Sequence, residues 1–126
     1  MLDPVGSVCA EIGEEPVRRA VAAFYRRVTD DALLRPMYPD GNLAAAEQRL
    51  AGFLVGRFGG SDEYVRERGH PRLRMRHARF VIDGVARDRW MELMTAALDE
   101  VDFPAPQRTR VVAFLGDVAT MLVNRG

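Results

Sequence analysis

The two histidines of the chain, His70 and His77, are the side chains best suited to bind a metal. No cysteine or carboxylate around them has the spacing of a zinc site. His77 lies in a short helix predicted for residues 73–78, just before a turn. Two interpretations fit this position: a helix-end histidine stabilised by the helix dipole, or a neutral imidazole that binds a haem iron through one ring nitrogen.

Three aromatic residues form a second set with possible chemistry. Tyr25, Tyr38 and Trp90 each lie beside or within an apolar stripe, and each brings one polar hydrogen to it. Buried tyrosine and tryptophan normally find a partner for that hydrogen. Taken singly, each is an ordinary core aromatic whose polar end reaches a backbone carbonyl.

Residues 66–79 form an arginine-rich segment in which Glu67 is the one acidic residue. Its arginines are Arg66, Arg68, Arg72, Arg74, Arg76 and Arg79. Such a segment could bind nucleic acid or phosphate, could be a solvated loop face, or could pair with the carboxylates of a cofactor. The whole chain has 18 basic and 18 acidic residues, which favours the solvated face and argues against a nucleic-acid partner. Ser7 and Ser61 lack the context of a nucleophile, so no catalytic residue is predicted.

Length and composition indicate a single soluble domain. The chain has 126 residues, of which 48% are hydrophobic, enough for one core. Cys9 is the only cysteine, which excludes an intrachain disulfide and fits a reducing cytoplasm. The start of the chain does not resemble a signal peptide, and no apolar run is long enough to span a membrane. We expect one domain over residues 1–126, with residues 1–13 as a loosely ordered lead-in.

Apolar residues recur at helical spacing in four long segments, which predicts four main helices. Their stripes are Val17, Ala20, Val21, Phe24 and Val28; Leu43, Ala46, Leu50, Phe53, Leu54 and Phe58; Trp90, Met94, Ala97, Leu98 and Val101; and Val111, Leu115, Val118 and Leu122. Asp30 and Asp31 are suited to cap a short helix between the first two. Residues 80–82 could form one strand, but no second strand pattern exists to pair with it. The sequence therefore predicts an all-α fold.

Five segments of the chain resemble the truncated haemoglobins, specifically their group II. They are Phe24-Tyr25, Tyr38-Pro39, residues 44–50, the run Gly69-His70-Pro71-Arg72-Leu73-Arg74-Met75-Arg76-His77-Ala78, and Arg87-Asp88-Arg89-Trp90. The likeness extends over about residues 8–125, and the run that ends at Ala78 is its most specific part. The resemblance implies a globin-like two-over-two helical sandwich around one haem b, with His77 as the proximal iron ligand.

The resemblance also implies roles for further residues. Tyr25, Tyr38 and Trp90 would line the distal side, where the small side chain of Ala46 would leave an open entrance. Arg49 is expected to reach a haem propionate, and Arg76 and Tyr64 are further candidates for that contact. Apolar contacts with the ring are expected from Phe24, Leu50, Phe53, Leu54, Leu73 and Phe80.

Three functions follow from these expectations. The first is reversible binding of oxygen or another diatomic ligand, for transport, storage or sensing. The second is haem-dependent nitric oxide dioxygenase or peroxidase activity, which would need a separate reductase as partner. The third is a haem-free arginine-rich binding module. A monomer and a homodimer are both compatible with the sequence.

Overall fold

Helices account for all the regular secondary structure in the described part of the chain. The computed structural model describes residues 3–38, 43–69 and 82–124. These residues form the α-helices α1 (Val8–Ile12), α2 (Glu15–Thr29), α3 (Leu43–Arg57), α4 (Glu63–Arg68), α5 (Gly84–Glu100) and α6 (Ala105–Met121), with a 3₁₀-helix at Arg35–Met37. The all-α prediction is confirmed. Across these residues, none of the helices combines the length and the apolar character needed to cross a membrane.

Helix α2 lies at the centre and packs against both α3 and α5. Its apolar stripe is buried throughout, and Phe24 and Val28 have no exposed surface. Pro16 is the second residue of the helix, where its missing amide hydrogen leaves no hydrogen bond unmade. Helix α5 also packs on α6. The helices therefore form two pairs, α2 with α3 and α5 with α6, joined through the contact between α2 and α5, which is the expected two-over-two arrangement.

The start of α5 is fixed by a side-chain cap. The Asp83 carboxylate accepts a hydrogen bond from the Ala86 amide at 2.9 Å, which satisfies one of the free amides of the first turn. Further along, Met94, Ala97 and Leu98 are buried, as the predicted stripe requires. This cap fixes the residue at which α5 begins, and thereby the positions of the residues in its first two turns.

The N-terminal segment packs into the core, although the sequence suggested a loosely ordered lead-in. Val5 and Val8 are fully buried, and the Cys9 amide donates to the Phe58 carbonyl at 2.9 Å. The glycines and proline of this segment favour irregular structure, but the burial of two valines outweighs that preference. Residues 3–13 therefore form part of the folded domain.

Gly59 allows the N-terminal segment to approach the end of α3 closely. Its φ angle is +86°, and a Cβ atom placed on it would lie 2.1 Å from the carbonyl oxygen of Gly6. No side chain fits at that distance without moving one of the two backbones. Glycine is therefore required at this position for both conformation and space.

We expect Gly59→Ala to lower the free energy of unfolding by about 2–4 kcal/mol, from left-handed strain together with the clash. Gly13→Ala is the matched control, since Gly13 also has a positive φ, +83°, but no atom of the described residues lies within 4 Å of a Cβ built on it. The control should lose only about 1–2 kcal/mol. Urea unfolding measures both variants, and equal losses would show that the close approach has no energetic weight.

Candidate functional site

The aromatic residues singled out in the sequence meet at one place in the fold. Phe24 and Tyr25 come from α2, Tyr38 follows the 3₁₀-helix, and Trp90 lies in α5. Ring centroids are separated by 4.9 Å between Phe24 and Tyr25, by 5.0 Å between Phe24 and Trp90, and by 5.6 Å between Tyr25 and Tyr38. We call these four residues the aromatic cluster. Three separate parts of the chain contribute to it.

The polar ends of the aromatic cluster are joined by hydrogen bonds. The hydroxyl oxygen of Tyr38 accepts one from the Tyr25 hydroxyl and one from the Trp90 indole N–H. A phenol oxygen accepts two hydrogen bonds and its proton donates one. Tyr25 and Trp90 therefore both act as donors to Tyr38, which leaves the Tyr38 proton available to a further acceptor.

Burial keeps both phenols of the aromatic cluster protonated. It raises the pKa of Tyr25 far above its ordinary value of 10.0, and the neighbouring Tyr38 adds to the effect. Burial also raises the pKa of Tyr38, while the hydrogen bonds that Tyr38 accepts act in the opposite direction. The positive charge of Arg49 lowers the pKa of both groups, but less than burial raises it. Both phenols thus remain hydrogen-bond donors at neutral pH.

Helix α3 contributes an apolar wall beside the aromatic cluster. Ala46 and Leu54 are buried, whereas Leu50 and Phe53 are only half-buried at the edge of the core. Tyr38 and Trp90 are half-buried in the same way. Partly exposed apolar area next to hydrogen-bond donors is the chemistry expected for a large, flat, mostly apolar cofactor such as haem. These residues therefore fit a haem, and the exposed cation of Arg49 suits a propionate at its edge.

The ring of Tyr64 packs against α3 at Gly52, which has no side chain to exclude it. A Cβ atom built on Gly52 would lie 2.6 Å from Cγ of Tyr64, so the ring occupies the space that this glycine leaves. The contact joins α4 to α3. Tyr64, a candidate for a propionate contact, is thus held against α3, the helix that contains Arg49.

Comparison with known proteins identifies the family. Residues 7–124 match the family described as bacterial-like globin. The chain belongs to the bacterial-like globin family.

Relatives of this globin include members of the group that its sequence resembles. It is 35% identical over 114 residues to a group 2 truncated hemoglobin of Bacillus subtilis strain 168, which covers 90% of this chain and 86% of the relative. Its fold is similar to that of a thermostable hemoglobin from the actinobacterium Thermobifida fusca, with a TM-score of 0.86, 41% identity and coverage of 98% of both chains.

A truncated haemoglobin structure from Bacillus subtilis has a TM-score of 0.86 and 34% identity, covering 92% of this chain and 98% of the other. The predicted group II resemblance and the two-over-two fold are thereby confirmed. Membership of the globin family implies a haem cofactor and binding of a diatomic ligand.

Four of the predicted site residues lie outside the described residues of this globin. His77, the expected iron ligand, is one of them, together with Leu73, Arg76 and Phe80. These assignments remain predictions. The other predicted residues lie on α2, α3, α4 and α5 or directly after the 3₁₀-helix, and the aromatic cluster brings the three expected donors together.

One pair of residues beside the aromatic cluster was missed in the sequence. Asp31 was predicted as a helix cap, and its carboxylate does accept a hydrogen bond from the Leu34 amide at 2.9 Å. The same carboxylate also forms an ion pair with Arg89, whose Nε lies 2.7 Å from Oδ1. Arg89 is 58 residues away in sequence, so no local pattern indicates the pairing.

Alkaline unfolding should reveal the protonated phenols, because the chain has no lysine and tyrosines dominate ionisation above about pH 10. A folded-state pKa above the unfolded value of 10.0 gives stability that is complete below pH 10 and lost as the pH rises beyond it. Each such tyrosine should steepen that loss by about 1.4 kcal/mol per pH unit. Tyr25→Phe should therefore flatten the slope by one tyrosine's share.

The measurement is urea unfolding of the wild type and of Tyr25→Phe at several pH values above 9.5, a range chosen around the usual tyrosine pKa of about 10. Burial also raises the pKa of Cys9, but this thiol is common to both proteins and cancels in the difference. Identical slopes would show that Tyr25 ionises freely in the folded protein.

Proposed function

We propose that this globin binds oxygen or another diatomic ligand reversibly at a ferrous haem b held by His77. When bound, haem supplies the iron at which such a ligand attaches. The observation that carries the proposal is the convergence of Tyr25, Tyr38 and Trp90 into one hydrogen-bonded group beside an apolar wall. One of the structural relatives, from Bacillus subtilis, is described as an oxygen-avid haemoglobin, which supports the choice of oxygen.

The aromatic cluster acts as a ready-made hydrogen-bond donor for the ligand. Tyr38 receives two hydrogen bonds, which orient its hydroxyl and polarise its O–H bond toward a further acceptor. Tyr25 and Trp90 thus act through Tyr38, and they can also face the ligand directly if it displaces one of their bonds. A donor in a half-buried site stabilises a ligand that carries partial negative charge and slows its escape.

The remaining residues hold and frame the cofactor. Arg49 and Tyr64 are assigned to the propionates, together with Arg76, and Ala46 is assigned to the ligand entrance, where its small side chain would leave room. Apolar contacts with the ring are assigned to Phe24, Leu50, Phe53, Leu54, Leu73 and Phe80. On this assignment α3 contributes most of one side of the haem pocket, because four of its side chains lie on neighbouring turns of one side of the helix.

A second function at the same site is oxidation of nitric oxide or reduction of peroxide. It is favoured by the hydrogen-bonded phenols of Tyr25 and Tyr38, which can donate to a peroxide. Repeated turnover would require electrons from a separate reductase. Sustained consumption of nitric oxide or peroxide with an added electron donor would support it, whereas a single stoichiometric reaction would favour the binding function.

We expect the purified protein to show the Soret absorption of bound haem, and His77→Gly to lose it or to shift it strongly. His70→Gly is the control, since this second histidine is close in sequence but has no assigned role. Its spectrum should equal that of the wild type. Absorption spectra after incubation with hemin measure all three proteins, and a colourless wild type would refute the proposed function.

Trp90→Phe should raise the rate of oxygen dissociation about five- to tenfold, roughly the effect of one hydrogen bond. The variant removes the indole N–H that orients Tyr38 but keeps an aromatic ring against Phe24. Stopped-flow displacement of oxygen by carbon monoxide measures the rate. An unchanged rate would remove Trp90 from the mechanism.

A further inference from the structure

Asp31 is the one buried charged residue within residues 3–38, 43–69 and 82–124. Its side chain is 3% exposed and lies just after the end of α2. One carboxylate oxygen, Oδ2, accepts a hydrogen bond from the Leu34 amide at 2.9 Å. The other, Oδ1, lies 2.7 Å from Nε of Arg89. A buried charge is tolerated only when it is paired and hydrogen-bonded, and both requirements are met here.

Arg89 is held at both ends of its planar guanidinium group. Nε and Nη2 contact Asp31, while Nη1 donates to the carboxylate of Glu92 at 2.9 Å. Glu92 lies three residues further along α5, so it keeps the Arg89 side chain on the helix surface. The orientation of this guanidinium is therefore determined by two acids, one buried and one exposed.

The segment from Asp31 to Tyr38 transmits the position of Asp31 along a chain of short-range hydrogen bonds. The Asp31 carbonyl accepts from the Arg35 amide at 2.9 Å, and the Arg35 carbonyl accepts from the Tyr38 amide at 3.1 Å. The Arg35 guanidinium donates in turn to the Tyr38 carbonyl at 2.9 Å. Leu34, in the middle, is 2% exposed. Displacing Asp31 would therefore displace Tyr38.

Two interactions thus connect α5 with the segment from Asp31 to Tyr38. Arg89 and Trp90 are adjacent on α5, and their partners Asp31 and Tyr38 lie at the two ends of one short segment. The ion pair is charged and multidentate, whereas the indole–phenol link is a single neutral hydrogen bond. The stronger link sets the separation at which the weaker one forms.

We propose that Asp31 and Arg89 are a positioning pair that holds the Tyr38 hydroxyl where both Tyr25 and Trp90 can donate to it. The proposal rests on the proposed function for its effect on ligand binding. Neither side chain need touch haem or ligand, because the pair acts through Tyr38. Weakening the ion pair should loosen the hydrogen bond from Trp90 and let the ligand leave faster.

The test compares Arg89→Gln and Asp31→Asn with Arg26→Gln as the control. Arg26 also joins α2 to α5, through an exposed ion pair with Glu100, but it lies outside the segment from Asp31 to Tyr38. Asp31→Asn keeps an oxygen for the Leu34 amide and leaves no buried charge unpaired. It therefore provides a folded variant if Arg89→Gln does not fold.

Two readouts separate positioning from general stability. Trp90 is the only tryptophan, so the protein has a single indole N–H resonance that reports its hydrogen bond to Tyr38. In the full chain as purified, reduced under carbon monoxide, both test variants should shift this resonance upfield and speed its exchange with water. The oxygen dissociation rate should rise about five- to tenfold, and neither readout should change in Arg26→Gln.

A double-mutant cycle with Tyr38→Phe completes the test. In that background the hydroxyl is absent, so Arg89→Gln or Asp31→Asn should add no further change in dissociation rate. An indole resonance and a dissociation rate that stay at wild-type values in both test variants, whatever happens to the melting temperature, would overturn the proposal. A missing Soret band would instead refute the proposed function, and the indole resonance and its exchange with water would then be compared in the haem-free wild type and variants.

Discussion

The hydroxyl oxygen of Tyr38 is the point at which three parts of this globin are joined. It accepts hydrogen bonds from Tyr25 on α2 and from Trp90 on α5, and it belongs to the segment that connects α2 with α3. A phenol oxygen has two lone pairs, so this arrangement uses its full capacity as an acceptor. The hydroxyl proton is then available to a further acceptor. The arrangement of Tyr25, Tyr38 and Trp90 depends on this one atom.

Ion pairs made by arginine reinforce that arrangement to different degrees. Arg26 and Arg27 both contact Glu100, whose side chain is 38% exposed, and exposed pairs of this kind contribute little to stability. In the pair of Asp31 with Arg89 the arginine is 42% exposed, but the Asp31 side chain is 3% exposed, so this carboxylate depends on protein donors rather than on water. The burial of the acidic partner, rather than the number of ion pairs, therefore decides which of the arginine contacts matters for the site. The absence of lysine makes multidentate contacts available at each of these places.

Much of the fold could be predicted from local sequence patterns, because the buried stripes repeat at helical spacing. The stripe from Val17 to Val28 is an example, since each of its members faces the centre of the domain. The role expected for Tyr25, Tyr38 and Trp90 came from the family resemblance, because these residues are far apart in sequence. The pair of Asp31 with Arg89 could not be predicted, since a capping role already explained the aspartate locally. The packing of residues 3–13 was not predicted, because the glycines and proline of this segment indicated irregular structure and the burial of its two valines was not anticipated.

Trp90 also makes the molecule its own optical probe. It is the single tryptophan of the chain and packs 5.0 Å from Phe24, within the cluster that borders the proposed cofactor cleft. A coloured macrocycle in that cleft would quench its ultraviolet emission by energy transfer, and an empty cleft would restore it. Uptake and loss of the pigment can therefore be followed by fluorescence, with no label attached.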